Sequence, residues 1–429
     1  MTMKITYILI TILPILLLVT CQSSKKERQA EFNSPNTPSI IYIKNNYPEV
    51  KHRIPLSQIA DTIFYLKLNH KCPKDIYQAW YTNNTIFLYD LDSIFAFNNT
   101  GILRYSISAP VSSIDILQNE QKFYIYSFKD KTISQYDFKG AKEHMIHLKS
   151  NKLGGYGSCF LTINDTLFAI SRLNEGLNPY ELLFFNKKGK MVKYITNSQP
   201  FTPQSHAIFY NTAWERMLFR SPQGCFYYRP YGDTLFTISP QIALSPIWIE
   251  QKLSKVPLKK RLEYRGMNLT DFINLCRTEQ WYNIRYIENS RYIIAEYIPG
   301  RSNYDIPNYM VYDKKTKKIE KTEQTLSKGI AYQNFHFGFF NDYDGGLGFS
   351  PLCQSNDYLL MINAGYAQGG AKNFPKTLYN MGRKIGKITY KCRSDSCLSI
   401  KNKKKLEKFL KSFDENKNTM VTIVKLKTL

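Results

Sequence analysis

The side chains able to do chemistry are few and scattered along the chain. There are six histidines. The closest pair, His144 and His147, lies in a stretch that reads as a β-strand, where a separation of three points them to opposite faces rather than at one metal ion. No His-Glu-x-x-His and no Gly-x-Ser-x-Gly occurs, so neither a zinc-protease helix nor a nucleophile elbow is expected. Asp342-Tyr343-Asp344-Gly345-Gly346 resembles the opening of a calcium loop. The twelfth position, where such a loop places a Glu, is Cys353, and a Gly-rich turn is the better reading. Leu153-Gly154-Gly155-Tyr156-Gly157 has no Lys after it and precedes no helical pattern, which excludes a phosphate loop. No metal, no cofactor and no catalytic set is expected from these residues.

Cysteine carries more information. Lys4 is a short basic start, and Ile5 to Val19 is apolar except for Thr6, Thr11 and Pro14. That run is too short for a spanning helix and fits a signal peptide over residues 1–20. It ends in Leu18-Val19-Thr20-Cys21, which resembles a lipobox. The expected chemistry is transfer of diacylglycerol to the Cys21 thiol, with cleavage before it. Gln22 follows rather than the Asp of an inner-membrane retention signal, so the outer membrane is the expected site. Of eight cysteines, Cys392 and Cys397 are the close pair. They flank Arg-Ser-Asp-Ser, and export makes a small disulfide loop between them plausible. No second close Cys or His pair accompanies them, which argues against zinc.

The elements that position these residues read as strands. Residues 21–39 are nearly all polar, too poor in apolar surface to offset the entropy of ordering, and are expected to form a flexible tether. Residues 40–429 are rich in aromatics, with 32 Tyr and 26 Phe in the chain, which favours an all-β body. A repeat of aromatic, Asn or Asp, two residues, then Gly occurs at Phe97 to Gly101, Tyr136 to Gly140 and Phe185 to Gly189, with a degenerate copy at Tyr312-Asp313. Each copy reads as a hairpin whose Gly takes positive φ. Apolar runs occur at Ile86 to Tyr89, Phe123 to Tyr126, Leu167 to Ile170, Phe226 to Tyr228, Tyr292 to Ala295 and Leu359 to Ile362. Their starts are 37, 44, 59, 66 and 67 residues apart. The shorter intervals match a four-stranded propeller blade. Six runs predict a six-bladed β-propeller with short helical insertions at Gln251 to Cys276 and Asn402 to Phe413, expected to cap a face of the disc. Thr62 to Leu68 and Met420 to Leu426 are expected to complete the sixth blade from both ends of the chain, which removes the open edges.

These features together are similar to the six-bladed β-propeller lipoproteins of Bacteroidales. The lipobox, Ile54-Pro55-Leu56-Ser57-Gln58-Ile59-Ala60-Asp61-Thr62-Ile63, Arg229-Pro230-Tyr231-Gly232-Asp233-Thr234-Leu235-Phe236, and Asn416 to Lys427 carry the likeness. The resemblance implies the fold and brings no catalytic residues with it.

The net charge is +24, from 58 basic and 34 acidic residues. Export removes nucleic acid as a partner, and the lysines read mainly as solvated loops. Lys314-Lys315-Thr316-Lys317-Lys318 and Lys401-Asn402-Lys403-Lys404-Lys405 are the clusters that could meet lipid headgroups or acidic glycans. Arg220, Tyr228, Arg229, Tyr231 and Asp233 form the densest polar and aromatic group, which an Arg to Asp pair buried within the fourth blade would also explain. The expected function is a non-catalytic binding module, membrane-held through its lipid, for a glycan, peptide or protein partner. The alternative is a propeller hydrolase or lyase acting on a polysaccharide, which needs converging carboxylates. The longest inserted stretches mark the expected ligand face, with Tyr304, Tyr309, Tyr366, Phe374, Tyr379 and Arg383 as contacts, unless these aromatics pack the insertions down.

Overall fold

A computed structural model describes residues 28–29, 41–43, 50–51, 54–70, 76, 78–82, 84–90, 92–108, 112–150, 153, 159–172, 179–197, 218–228, 234–250, 282–299, 308–322, 338–344, 348–362, 400–413 and 418–429. The chain opens with three short strands, β1 (Arg28–Gln29), β2 (Ile41–Ile43) and β3 (Val50–Lys51), then a helical turn, α1 (Leu56–Ile59), and β4 (Ala60–Leu68). Six meanders follow. Blade 1 is β5 (Gln78–Thr82), β6 (Thr85–Asp90), β7 (Ser93–Asn98) and β8 (Leu103–Ser108). Blade 2 is β9 (Ser113–Leu117), β10 (Lys122–Ser127), β11 (Thr132–Asp137) and β12 (Lys142–His147). Blade 3 is β13 (Phe160–Asn164), β14 (Leu167–Ser171), β15 (Tyr180–Asn186) and β16 (Met191–Thr196). Blade 4 is β17 (Leu218–Ser221), β18 (Gly224–Tyr228), β19 (Thr234–Ile238) and β20 (Leu244–Glu250). Blade 5 is β21 (Tyr282–Glu288), β22 (Tyr292–Pro299), β23 (Asn308–Asp313) and β24 (Lys318–Thr322). Blade 6 combines β25 (Cys353–Ser355), β26 (Tyr358–Ile362) and β27 (Thr419–Leu426) with β4, so both chain ends close the ring.

Each apolar run seen in the sequence is the second strand of a blade. Those strands are apolar at successive positions because both faces of a blade are covered. Six hydrophobic clusters fill the six interfaces between neighbouring blades. Phe87 and Phe123 meet between blades 1 and 2, Tyr126 and Phe168 between 2 and 3, and Phe184 and Tyr227 between 3 and 4. Trp248 and Tyr312 lie between 4 and 5, Tyr309 and Leu359 between 5 and 6, and Leu360 and Leu88 between 6 and 1. Ring closure rests on β27, whose Thr422 stands opposite Met361 of β26 on one side and Tyr65 of β4 on the other.

The hairpin repeat joins the third and fourth strands. Asn98, Asp137 and Asn186 each accept backbone N–H bonds from residues two and four further on through Oδ1. The turn then closes on Gly101 (φ +83°), Gly140 (φ +89°) and Gly189 (φ +72°). Positive φ is one requirement and close approach is the other: a Cβ on Gly189 would lie 1.9 Å from the His147 carbonyl oxygen, in the preceding blade. Sheet twist thus brings each turn to the rim beside the previous blade's outer strand, where Gly189 O accepts from Lys149 N at 2.7 Å. Asp313 makes the degenerate copy with Lys317 at φ +60°. Sequence reading missed a fifth copy, in which Ser239 Oγ accepts from Gln241 N and Ala243 N, and Ile242 takes φ +61°.

Arg28–Gln29, inside the stretch expected to be a flexible tether, pairs in parallel with β16, and β2 and β3 likewise extend blades 4 and 5 beyond β20 and β24. Two or three residues carry no periodic pattern, so only backbone pairing reveals this belt. The second helix, α2 (Ile400–Lys411), lies against the outer strand β4 rather than over a face of the disc, with Phe409 5.7 Å from the Tyr65 ring and Lys67 Nζ donating to Ser412 O at 3.1 Å. The segment Gln251 to Cys276 lies outside the described residues.

Candidate functional site: the channel and its two mouths

Strand alternation fixes what stands at each end of the blades. First-to-second turns cover residues 83–84, 118–121, 165–166, 222–223, 289–291 and 356–357, and third-to-fourth turns cover 99–102, 138–141, 187–190, 239–243 and 314–317. None exceeds five residues. The opposite strand ends give rise to second-to-third connections, up to 363–418 in blade 6, and to the crossovers between blades at 197–217, 251–281 and 323–352. Every connection longer than five residues within the ring therefore belongs to one end.

The inner strands of all six blades line a central cavity of about 80 Å³. That volume is room for several waters. Its walls include Trp80, Asp115, Phe160, Arg220, Arg285 and Gln354. Asp115 of β9 and Arg220 of β17 reach each other past blade 3, with Nε to Oδ1 at 3.1 Å and Nη2 to Oδ2 at 2.8 Å. Thr162 N also donates to Asp115 Oδ2 at 2.8 Å, and Arg220 donates to Thr162 O. The pair expected within blade 4 is thus a brace across blades 2, 3 and 4. Burial works against the guanidinium charge, but Asp115 outweighs it and raises the Arg220 pKa. Arg229, Tyr231 and Asp233 lie outside the described residues.

A second arginine is held in the same manner. Arg285 of β21 pairs with Glu296 of β22 at 2.5 Å and donates to Leu352 O at the start of blade 6. Tyr309 donates to Glu296 Oε1 at 2.7 Å and sits 3.0 Å from Ser350 Oγ, with its ring 4.5 Å from that of Phe339. Burial first, and the Glu296 charge second, push this phenol well above its ordinary pKa. Tyr309 is fully buried, so it packs blade 5 against blade 6 and is not an open ligand contact. Tyr304, Tyr366, Phe374, Tyr379, Arg383, Cys392, Cys397 and Cys21 lie outside the described residues.

The short-turn mouth is crossed by side chains. Asn356 Nδ2 of blade 6 donates to Gln118 Oε1 of blade 2, and Gln354 Nε2 donates to Asn356 O at 2.9 Å. Ser221 Oγ and Lys314 Nζ both donate to Glu288, joining blades 4 and 5. Burial raises the Glu288 pKa, and Lys314 and Ser221 oppose it. At the same mouth Glu120 is held above the ordinary carboxyl range by desolvation and by neighbouring Asp165; both residues are exposed.

The remaining candidates have structural partners. His144 and His147 are exposed on β12. Asp342 accepts from Ser57 N at 2.8 Å, and Asp344 accepts from Tyr65 and Asn341, so both tie the 338–344 segment, which leads into blade 6, to α1 and to β4. Among the described residues no group of three metal-ligating side chains comes together. Cys353 Sγ accepts from Ala79 N at 3.1 Å, and burial raises the Cys225 pKa to about 11, which keeps that thiol unreactive.

The architecture is that of a closed six-bladed β-propeller whose long connections all start and finish at the same end of the blades. The chain belongs to the family DUF4934, a domain of unknown function, whose pattern matches residues 38–425. By structure it is similar to a Bacteroides fragilis protein named as exported, with a TM-score of 0.59 and 14% identity over 91% of this chain and 100% of that one. It is also similar to a DUF4221 member from Bacteroides vulgatus, with a TM-score of 0.42 and 11% identity over 86% of this chain and 98% of that one. These likenesses concern the fold. No curated protein matches the sequence. Among the described residues no helix is long and apolar enough to cross a membrane.

Proposed function

We propose that this protein is an envelope lipoprotein, held to the outer membrane by acyl chains on Cys21, whose propeller binds a glycan, peptide or protein partner without transforming it. The observation that carries the reading is that every long ring connection leaves and rejoins the blades at the same end of a braced scaffold, the arrangement in which rigid elements present variable binding segments. Tyr304, Tyr366, Phe374, Tyr379 and Arg383 fall within those connections in the sequence and remain the proposed contacts.

The channel chemistry supports binding over hydrolysis or elimination. A glycosidase needs one carboxyl to donate a proton and another to act as base or nucleophile. Asp115 on the channel wall and Glu296 behind Arg285 are instead committed to arginines. The test is a glycan and envelope-polymer array probed with the purified protein, alongside Cys21→Ser in cells. Saturable binding, with loss of acylation and of detergent-phase partitioning in Cys21→Ser, is the expected result. Equal membrane retention of the variant would overturn the anchor, and an array without saturable binding, repeated with envelope peptides and proteins, would overturn the binding module.

A further inference from the structure

We infer that the ring meets the bilayer at one sector of its rim, the junction of blades 2 and 3, through lysines that face anionic lipid headgroups. This rests on acylation at Cys21, and two observations place the sector.

The first is where the chain arrives. β1 runs parallel to β16, so the chain enters its first pairing beside the start of β16, immediately after the 187–190 turn. Cys21 precedes Arg28 by seven residues, and seven extended residues reach at most about 25 Å. The acyl chains are therefore on a short leash to this turn. From there β1, β2, β3 and β4 run on along the rims of blades 3, 4, 5 and 6 in succession, so the belt leads away from the blade 2 and 3 junction.

The second is charge at the point of arrival. Lys187, Lys188 and Lys190 on that turn are exposed, as is Lys149 at the end of blade 2. Lys149 and Lys190 are joined by a parallel bridge, which places the four in one patch. Glu143, on the neighbouring strand β12, is already engaged by Gln135 and Lys122. Basic residues close to a membrane anchor gain affinity from a negatively charged leaflet, and the gain falls off within a Debye length. The equivalent turn of blade 5 carries Lys315, Lys317 and Lys318, also exposed, but two blades further round the ring. It is an internal control of the same turn type and similar charge.

The experiment is lysine acetylation footprinting of the full lipidated protein, read by mass spectrometry, in vesicles of phosphatidylglycerol with phosphatidylcholine, in phosphatidylcholine alone, and in detergent. Lys149, Lys187, Lys188 and Lys190 should react at least about fivefold more slowly in the anionic vesicles, while Lys315, Lys317 and Lys318 change less than twofold. Equal protection of both turns, or protection of the blade 5 turn, overturns the inference. A second arm uses the full chain with Cys21→Ser, where each lysine contributes about fivefold to binding an anionic surface. Adding Lys187→Gln, Lys188→Gln and Lys190→Gln should weaken binding to phosphatidylglycerol vesicles about 100-fold relative to phosphatidylcholine, and no difference between the two lipids before the charge change overturns the rim contact. Intact mass separates the two readings: a non-acylated wild-type protein that still shows the lipid difference defeats the anchor alone.

Discussion

Asp115→Ala tests whether the channel is a braced wall or a reactive site. The substitution removes the carboxylate that Arg220 and Thr162 N share. Asp115 is 4% exposed and Arg220 23%, so the guanidinium is left largely out of water without its counter-charge. Breaking such a pair from one side costs about 3–5 kcal/mol when fully buried, and the partial exposure of Arg220 places the expectation at the lower end, about 3 kcal/mol. Unfolding entropy of roughly 2.1 cal/mol/K per residue over the roughly 390 residues of the propeller body is about 0.8 kcal/mol/K. The midpoint should therefore fall by about 4 °C in a calorimetric melt. Replacing both partners, as Asp115→Ala with Arg220→Met, removes the stranded charge, and the double variant should recover at least half of the loss. A single variant that melts within 1 °C of wild type, or a double variant less stable than the single, refutes the brace.

Four further outcomes follow from the geometry. Gly189→Ala should cost about 3 kcal/mol or more, because a positive φ costs roughly 1–2 kcal/mol in a residue with a Cβ and the added atom meets a fixed backbone oxygen, adding about 1–3; Lys317→Gly, with its φ of +60° relieved, should instead raise the melting midpoint. Asp313 is held below its ordinary value of 3.8, its hydrogen bonds to Arg291 and to the Lys315 and Thr316 amides outweighing burial. A carboxyl with a depressed folded pKa adds stability above the unfolded value and loses it as pH falls through the folded one, so Asp313→Asn should lower stability at pH 7 and flatten the acid limb below about pH 4, measured by urea titration. Deleting residues 420–429 removes the strand between β26 and β4, and the product should aggregate or lose its cooperative melt in size-exclusion and calorimetry.

The ring was readable where burial is two-sided. Phe123 to Tyr126 and Tyr292 to Ala295 sit between two neighbouring blades, so their continuous apolar character follows from the architecture and discloses it. The repeated Asx-to-Gly turn was readable because Gly101, Gly140 and Gly189 satisfy both a backbone angle and a contact with the previous blade. Its fifth copy was hidden because Ser239 replaces the Asx acceptor and Ile242 takes the strained position, leaving no sequence mark. The Asp115 to Arg220 brace was half visible: the charge density around Arg220 stood out, but its partner is 105 residues away and belongs to another blade. Tyr309 falls in one of the long sequence intervals that mark the expected ligand face, but it belongs to β23, where it donates to buried Glu296 and packs on Phe339. The parallel belt left no trace because backbone pairing of two or three residues is indifferent to side-chain pattern.

Binding without turnover at the long-connection end is tested most directly by mass balance on whichever envelope polymer, peptide or protein the purified protein retains. The ligand is incubated with a stoichiometric amount of protein, eluted, and its chain length and end groups compared with the input by mass spectrometry over extended times. Recovery of unaltered ligand at a fixed ratio to protein, indifferent to Glu120→Gln, is the predicted result. Shortened or unsaturated products that accumulate with time and vanish on substitution of a single channel-mouth carboxylate would contradict it.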